Sequence, residues 1–147
     1  MPLFSEGGLP ASYVALPFTE WQLRPEWPAV SLANTDPVED LAPHVGRLRL
    51  IVLDFPKFSD GRAYSQARLL RGRMGYRGEL RATGGVLQDQ VAFMLRCGFD
   101  SFESEQKGFG EALAKARTLF SVVYQPTGDG RATANELRLK RRNAVAA

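Results

Sequence analysis

The amino-acid sequence predicts an α/β protein whose parallel sheet is built in the order β-α-β-α-β-α-β. The stretch RLRLIVLDF at residues 47–55 is a nearly continuous run of leucine and β-branched residues, typical of a strand covered on both faces. Apolar residues at helical spacing follow it, and strand and helix then alternate with a period of about 25 residues, which indicates right-handed crossovers. Four such strands are compatible with a small open sheet or with half of an eight-stranded barrel.

Residues 1–46 are rich in proline and are expected to form an irregular N-terminal extension. Within it, SYVALPF at residues 12–18 favours a short strand. DPVEDLAPHV at residues 36–45 favours a short helix that is capped by Asp36 and has Pro37 at its first position. A four-stranded sheet leaves bare edges, so either this extension or a second copy of the chain in a homodimer is expected to cover them. We favour the extension.

The first predicted helix follows the strand at 47–55 and begins at Asp60. Its apolar residues recur every three or four positions, while its arginines lie off that stripe. Gly75 is a suitable C-terminal cap, because glycine adopts the left-handed conformation that ends many helices. The stripe consists of Ala63, Ala67, Leu70 and Met74.

Two further strand and helix units complete the predicted domain. GELRAT at residues 78–83 is the second strand, and the glycine pair 84–85 is predicted to open a second helix that Gly98 ends. SFES at residues 101–104 is the third strand, and SVVYQ at residues 121–125 is a fourth strand that follows a third helix. The apolar stripes are Leu87, Val91 and Met94 in the second helix and Phe109, Leu113, Ala116 and Phe120 in the third.

The net charge of +3 is concentrated at the C-terminus. Residues 126–147 hold five basic and two acidic residues, whereas residues 1–125 hold 14 residues of each sign. Residues 1–125, which include the α/β domain at residues 47–125, are therefore neutral overall and offer no basic face of the kind that nucleic acid requires, so no nucleic-acid partner is expected. The basic tail at residues 126–147 is expected to be flexible.

Residue counts also restrict the chemistry. Cys97 is the only cysteine and His44 the only histidine, so the chain cannot by itself ligate a four-cysteine iron–sulfur cluster or form an internal disulfide. We expect no metal site and no cofactor. The start of the chain lacks the basic opening of a secretory signal, and no apolar run approaches the ~20 residues of a membrane span. A cytoplasmic location without a membrane partner is expected.

Candidate site residues follow from the position of ligands in open parallel sheets, which bind at the carboxyl ends of strands. The sharpest hypothesis is an anion site, because glycine N–H groups at a helix start and nearby guanidinium or ammonium groups all favour negative charge. Carboxylates at the same ends could move protons or pair with those cations. The predicted anion-binding residues are Lys57, Arg62, Arg81, Gly84 and Gly85, and the candidate polar residues are Asp54, Asp89 and Glu103.

The segment LDFPKFSDGRAYSQARLLRGRMGYRGELRATGGVLQDQVAFMLRCGFDSFE, residues 53–103, resembles the central block of the bacterial domain of unknown function 934 family. The resemblance extends more loosely over residues 30–125. It implies a context rather than a reaction, since members are described as uncharacterised or as probable oxidoreductases involved in sulfite reduction. It also implies gene neighbours that encode the haemoprotein sulfite reductase and the enzymes that reduce activated sulfate.

We therefore expect an accessory protein of assimilatory sulfate and sulfite reduction without a redox centre of its own. Its partner would be sulfite reductase, another sulfate-assimilation enzyme or a small anion, bound through the loops at residues 54–66 and 81–89. The alternative is an enzyme, with oxidoreductase as one possibility, that acts on a small phosphorylated or sulfur-containing anion. A single cysteine and the lack of a nicotinamide or flavin fingerprint favour the accessory role.

Overall fold

The computed structural model describes residues 2–5, 8–57 and 59–119, and these residues contain a single six-stranded sheet. The sheet order is β1-β6-β5-β4-β3-β2; β1 is antiparallel to β6, and all other neighbours are parallel. The predicted α/β class with a mostly parallel sheet is confirmed. The strands are β1 (Leu3–Ser5), β2 (Leu16–Pro17), β3 (Ala29–Leu32), β4 (Leu50–Phe55), β5 (Glu79–Gly84) and β6 (Ser101–Glu103).

Helices connect the strands that run parallel. The α-helices are α1 (Phe18–Trp21), α2 (Arg62–Arg68), α3 (Val91–Cys97) and α4 (Phe109–Leu119). A π-helical turn, Leu69–Arg73, extends α2, and 3₁₀ helices occupy Val38–His44 and Gln88–Gln90. None of the helices in the described part of the chain combines the length and the apolarity that crossing a bilayer requires. The predicted strand at 121–125 and the tail at 126–147 lie outside the described residues.

The N-terminal segment is not irregular throughout, and in this respect the expectation for residues 1–46 was wrong. It supplies β1, β2 and β3, and β3 pairs with β4 from Ala29 opposite Leu50 to Leu32 opposite Leu53. β1 pairs with β6 at the other side of the sheet. The segment therefore covers both edges that the central strands would leave bare, as we favoured from the sequence. Its strands have only two to four residues, too few to produce a clear alternating pattern.

The two faces of the sheet differ in what covers them. One face packs against the helices and forms the main core, to which Ile51, Leu53 and Phe55 of β4 contribute. On the other face, Leu50 and Val52 pack with residues of the N-terminal segment, among them Leu9, Tyr13, Ala15 and Trp27. Because side chains alternate along a strand, Glu79, Arg81 and Thr83 of β5 lie on this second face, together with Ser101 and Glu103 of β6. We call it the polar face.

Several sequence-predicted helix signals hold. In α2 and its π-helical extension the stripe residues Ala63, Ala67 and Leu70 are buried. Gly98 ends α3 with φ at 107°, in the left-handed conformation expected of a C-terminal cap. The cap predicted at Asp36 is wrong: the 3₁₀ helix begins after Pro37, and the Asp36 carboxylate instead accepts the Ala33 N–H at 2.7 Å.

The Arg71 side chain connects the π-helical turn to the start of β5 through hydrogen bonds. Its Nε donates to Gly98 O at 3.0 Å, and its Nη1 donates to Tyr76 O at 2.9 Å and to Gly78 O at 2.8 Å. Its Nη2 pairs with the Asp100 carboxylate. The guanidinium also lies over the Tyr76 ring, 5.4 Å from its centroid. One side chain, only 11% exposed, therefore joins the ends of α3 and of the π-helical turn to β5 and β6.

Replacing Arg71 with alanine is expected to lower the free energy of unfolding by about 3 kcal/mol, because several acceptors lose a charged donor at once. Urea unfolding monitored by circular dichroism measures this loss. Arg73→Ala is the matched control, since Arg73 belongs to the same turn and is exposed. Equal effects of the two substitutions would contradict the role of Arg71.

Candidate functional site

The polar face presents hydroxyl and carboxyl groups in adjacent strands near their carboxyl ends. Asp54 in β4 is paired in register with Thr83 in β5, and the Thr83 hydroxyl donates to Glu103 Oε2 in β6 at 3.1 Å. Three of the strands therefore contribute one polar side chain each to a single row. The structure brings the predicted residues Asp54 and Glu103 to this row.

Arg81 lies one step back from this row, in the interior of β5, and is only 1% exposed. Its Nη2 donates to Glu79 Oε1 at 2.9 Å and to Leu9 O at 2.8 Å, and its Nε donates to Ser101 Oγ at 3.3 Å. Its Nη1 is 3.9 Å from Glu103 Oε1. The guanidinium is thus surrounded by protein acceptors and two carboxylates. The expectation that Arg81 would project from a loop as an anion ligand does not match this position.

Glu79 is the principal partner of Arg81. The Ser101 hydroxyl donates to its Oε1 at 2.6 Å, and the Leu9 N–H donates to its Oε2 at 2.8 Å. Burial by itself would raise the pKa of Glu79, but the hydrogen bonds from Ser101, the Leu9 backbone and Arg81, together with the charge of Arg81, bring it below its ordinary value. Glu79 and Arg81 therefore form a buried ion pair that ties β5 and β6 to the N-terminal segment.

Asp54 lines a pocket of about 330 Å³ between the ends of β2, β3, β4 and β5. Burial raises the pKa of Asp54 above its ordinary value of 3.8, because the carboxylate is partly removed from water. A carboxyl group with a raised pKa, placed next to hydroxyl groups, can accept and return a proton and can bind a hydrogen-bond donor. The polar groups that line the pocket are Thr19, Ser31, Asp36, Asp54 and Thr83.

The glycine pair does not open a helix, and that prediction was wrong. Gly84 is the last residue of β5 with φ at 88°, and the 3₁₀ helix begins only at Gln88. A side chain at position 84 would place its Cβ 2.5 Å from Asp54 Oδ1 and against the Phe55 carbonyl. The Gly85 N–H donates to that carbonyl at 2.6 Å. These glycines allow β5 to pass close to Asp54, and the Gly85 N–H is already used.

The remaining predicted residues lie in the segments that follow β4 and β5. Lys57 and Asp89 are exposed, and the Arg62 side chain is 62% exposed with its Nε 3.3 Å from Asp60 Oδ1. Asp60 also accepts the Arg62 N–H at 3.1 Å, but α2 begins at Arg62 and has Gly61, not the predicted Asp60, at its N-cap position. None of the three exposed residues lines the Asp54 pocket. The predicted site residues are thus divided between the row of polar side chains at Asp54 and a separate exposed surface.

The segments that follow β4 and β5 contact each other. Besides the bond from Gly85 to Phe55, the Tyr64 hydroxyl donates to Gln90 Oε1 at 3.0 Å, and burial raises the pKa of Tyr64 to about 12. The Phe93 ring packs 4.8 Å from the Tyr64 ring and remains 47% exposed. We call this region, comprising Lys57, Arg62, Tyr64, Asp89 and Phe93, the rim surface.

Sequence reasoning did not single out Ser31, Thr83, Glu79 or Phe93. Strand alternation places Glu79, Arg81 and Thr83 on one face, so the period-two pattern of β5 was the signal that could have found two of them. Ser31 lies in a strand too short for such a pattern. Within the described residues no three His, Cys, Asp or Glu side chains are grouped as a metal site would require.

Arg81→Ala is expected to destabilise the fold by about 3–5 kcal/mol, because Glu79 would remain buried without its cation. Arg62→Ala removes the same charge from the surface and is expected to change the free energy of unfolding by no more than about 0.5 kcal/mol. Chemical unfolding of both variants measures the difference. A stable Arg81→Ala protein would mean that Arg81 is available for a ligand after all.

Asp54→Asn is expected to raise the thermal midpoint at about pH 7 and to have little effect at about pH 3. The pKa of Asp54 is raised in the folded state, so the protonated carboxyl group stabilises the fold at pH values below its ordinary pKa. This stabilisation is lost as the pH rises through the pKa that Asp54 has in the folded protein. The amide stays neutral throughout. Thermal unfolding at both pH values tests this, with Asp89→Asn as the exposed control. Equal shifts of the midpoint at both pH values would contradict it.

Comparison with known proteins identifies the family. No curated protein and no solved structure matches the chain. Residues 29–135 match the family described as Bacterial protein of unknown function (DUF934). The match includes β3 to β6, α2 to α4, Asp54 and the loops of the rim surface, and it is wider than the block at residues 53–103 that carries the resemblance most strongly. This chain therefore belongs to the DUF934 family of bacterial proteins.

Proposed function

We propose that this protein is a cytoplasmic accessory protein of assimilatory sulfate and sulfite reduction. It has no redox centre of its own and acts by binding an enzyme of the pathway, in the first place sulfite reductase, through the rim surface. The pathway is the context that the family resemblance implies. The single cysteine supports a non-redox role, because sulfite reductase chemistry relies on sirohaem and a cysteine-ligated iron–sulfur cluster.

The observation that carries this proposal is the contact between α2 and α3, which leaves an aromatic side chain exposed at the rim surface. Phe93 is 47% exposed and packs on Tyr64, which is itself fixed by its hydrogen bond to Gln90. Lys57, Arg62 and Asp89, which are exposed residues of the segments that follow β4 and β5, supply charges of both signs. A rigid aromatic with a charged border is the arrangement that protein interfaces use for their strongest contacts.

The state of Arg81 favours this role over an enzyme that holds an anion at the same end of the sheet. The enzyme hypothesis requires Arg81, Lys57 and Arg62 to bind one anion together. Arg81 is buried in its ion pair with Glu79, and Arg62 pairs with Asp60. An exposed surface that carries Lys57 and Arg62 is more suitable for contact with a protein partner than for enclosing a small anion.

Phe93→Ser is expected to weaken retention of purified sulfite reductase on the immobilised protein at least tenfold, as truncation of a central interface aromatic costs about 2 kcal/mol or more. The charge reversal Lys57→Glu with Arg62→Glu is expected to weaken it further. Leu23→Ser is the matched control, because Leu23 is an apolar side chain that is 84% exposed and lies outside the rim surface. Wild-type protein that fails to retain sulfite reductase, or a Phe93→Ser variant that retains it equally well, would refute the proposal.

The pocket at Asp54 favours a second candidate, an enzyme that acts on a small phosphorylated or sulfur-containing anion, with oxidoreductase as one possibility. Asp54 would transfer a proton there, with the Thr83 and Ser31 hydroxyls positioning the substrate. Turnover of such an anion by purified protein would support this candidate. Asp54→Asn should then lower kcat about 100-fold or more, whereas Phe93→Ser should leave it unchanged.

A further inference from the structure

A second and larger pocket, of about 580 Å³, lies at the amino ends of the central strands, away from Asp54. Its walls come from the residues that precede β4 and β5 and from the start of the N-terminal segment that crosses the polar face. Two arginines, Arg49 and Arg77, line it together with Gly8, Leu9, Leu48 and Gly78. We propose that this pocket binds a small molecule through a phosphate or sulfate group, with Arg49 and Arg77 as the anion ligands.

The charge of the pocket supports this assignment. Arg49 and Arg77 are both exposed, and neither forms an ion pair within the described residues. Glu79 is the acidic residue in the lining, and both of its oxygens are already engaged: Oε1 by Arg81 and Ser101, and Oε2 by the Leu9 N–H. Its negative charge is balanced by Arg81, so among the described residues the two arginines give the pocket a net positive charge.

Both arginines extend from a fixed backbone. The Arg49 N–H donates to Pro28 O at 2.7 Å, its carbonyl accepts the Glu79 N–H at 3.1 Å, and its guanidinium lies over the Tyr13 ring, 5.8 Å from the centroid. Arg77 lies between the two carbonyls, of Tyr76 and Gly78, that Arg71 Nη1 binds. The Cα positions of the two ligands are thus held in place while their guanidinium groups remain available, which reduces the ordering cost of binding.

The dimensions of the pocket indicate the class of ligand. Pockets for small organic ligands are typically about 300–1,000 Å³, so the volume suits a molecule larger than a lone ion. Guanidinium groups bind phosphate and sulfate oxygens in a bidentate manner. Gly8, Gly46, Gly75 and Gly78 leave backbone in the lining without side chains, and Leu9, Val45 and Leu48 offer apolar contact to the remainder of the ligand. This pocket is separate from the rim surface, and its proposed ligand does not depend on the proposed function.

Isothermal titration of the full chain at low salt with adenosine monophosphate, inorganic phosphate and inorganic sulfate tests the proposal. We expect saturable binding that Arg49→Ala and Arg77→Ala each weaken at least tenfold, since each substitution removes charge-assisted hydrogen bonds to the anion. Arg49→Gln with Arg77→Gln repeats the test with less loss of volume. Arg68→Ala with Arg73→Ala is the control, because it removes the same charge from exposed positions of the α2 region.

The three probes separate the possible sources of the anion. Tighter binding of adenosine monophosphate than of inorganic phosphate supports a ligand that carries its phosphate on an organic body. Equal affinity for all three probes would overturn the organic body and leave a free oxyanion as the ligand. Absence of saturable binding, or equal weakening by the control pair, would overturn the site. The Phe93→Ser variant should bind these probes with wild-type affinity, because Phe93 does not line this pocket. A failure of the proposed partner binding at the rim surface can therefore be distinguished from a failure of the anion site.

Discussion

The buried ion pair between Arg81 and Glu79 constrains much of the arrangement described above. It lies on the face of the sheet that packs with the N-terminal segment, and its hydrogen bonds extend to Ser101 in β6 and to the backbone of Leu9. A buried charge without a partner is costly, so these contacts must form together. The N-terminal segment is thereby held across β5, and the walls of both pockets depend on where that segment lies.

Four arginines of the described residues fall into two contrasting pairs according to their surroundings. Arg71 and Arg81 are buried, and protein carbonyls and carboxylates use their donors, so they join elements that are distant in sequence. Arg49 and Arg77 line a pocket, and neither has a carboxylate partner among the described residues. Arg81, which the sequence predicted as an anion ligand, is therefore structural, whereas Arg49 and Arg77, which were not predicted as ligands, are the exposed arginines of this pocket.

The two ends of the sheet have opposite chemical character. At the carboxyl ends, Asp54 and Asp36 line a pocket with hydroxyl groups, and its environment favours the protonated form of Asp54. At the amino ends, two arginines border a larger pocket whose acid is already paired. Ligands of open parallel sheets usually bind at the carboxyl ends. Here the exposed arginines lie at the other end, so the carboxyl groups of one pocket are separated from the guanidinium groups of the other.

The sequence by itself determined the elements with strong local signals: the apolar run that forms β4, the stripe of Ala63, Ala67 and Leu70, the glycine cap at position 98 and the family. Local spacing, however, reports which residues share a face and not what covers that face. The partners of Arg81 include Leu9, 72 positions away, and a strand as short as β1 carries too little pattern to be recognised. Only the tertiary structure decided that Arg81 is neutralised and that the glycine pair closes β5 instead of opening a helix, because both outcomes depend on neighbours distant along the chain.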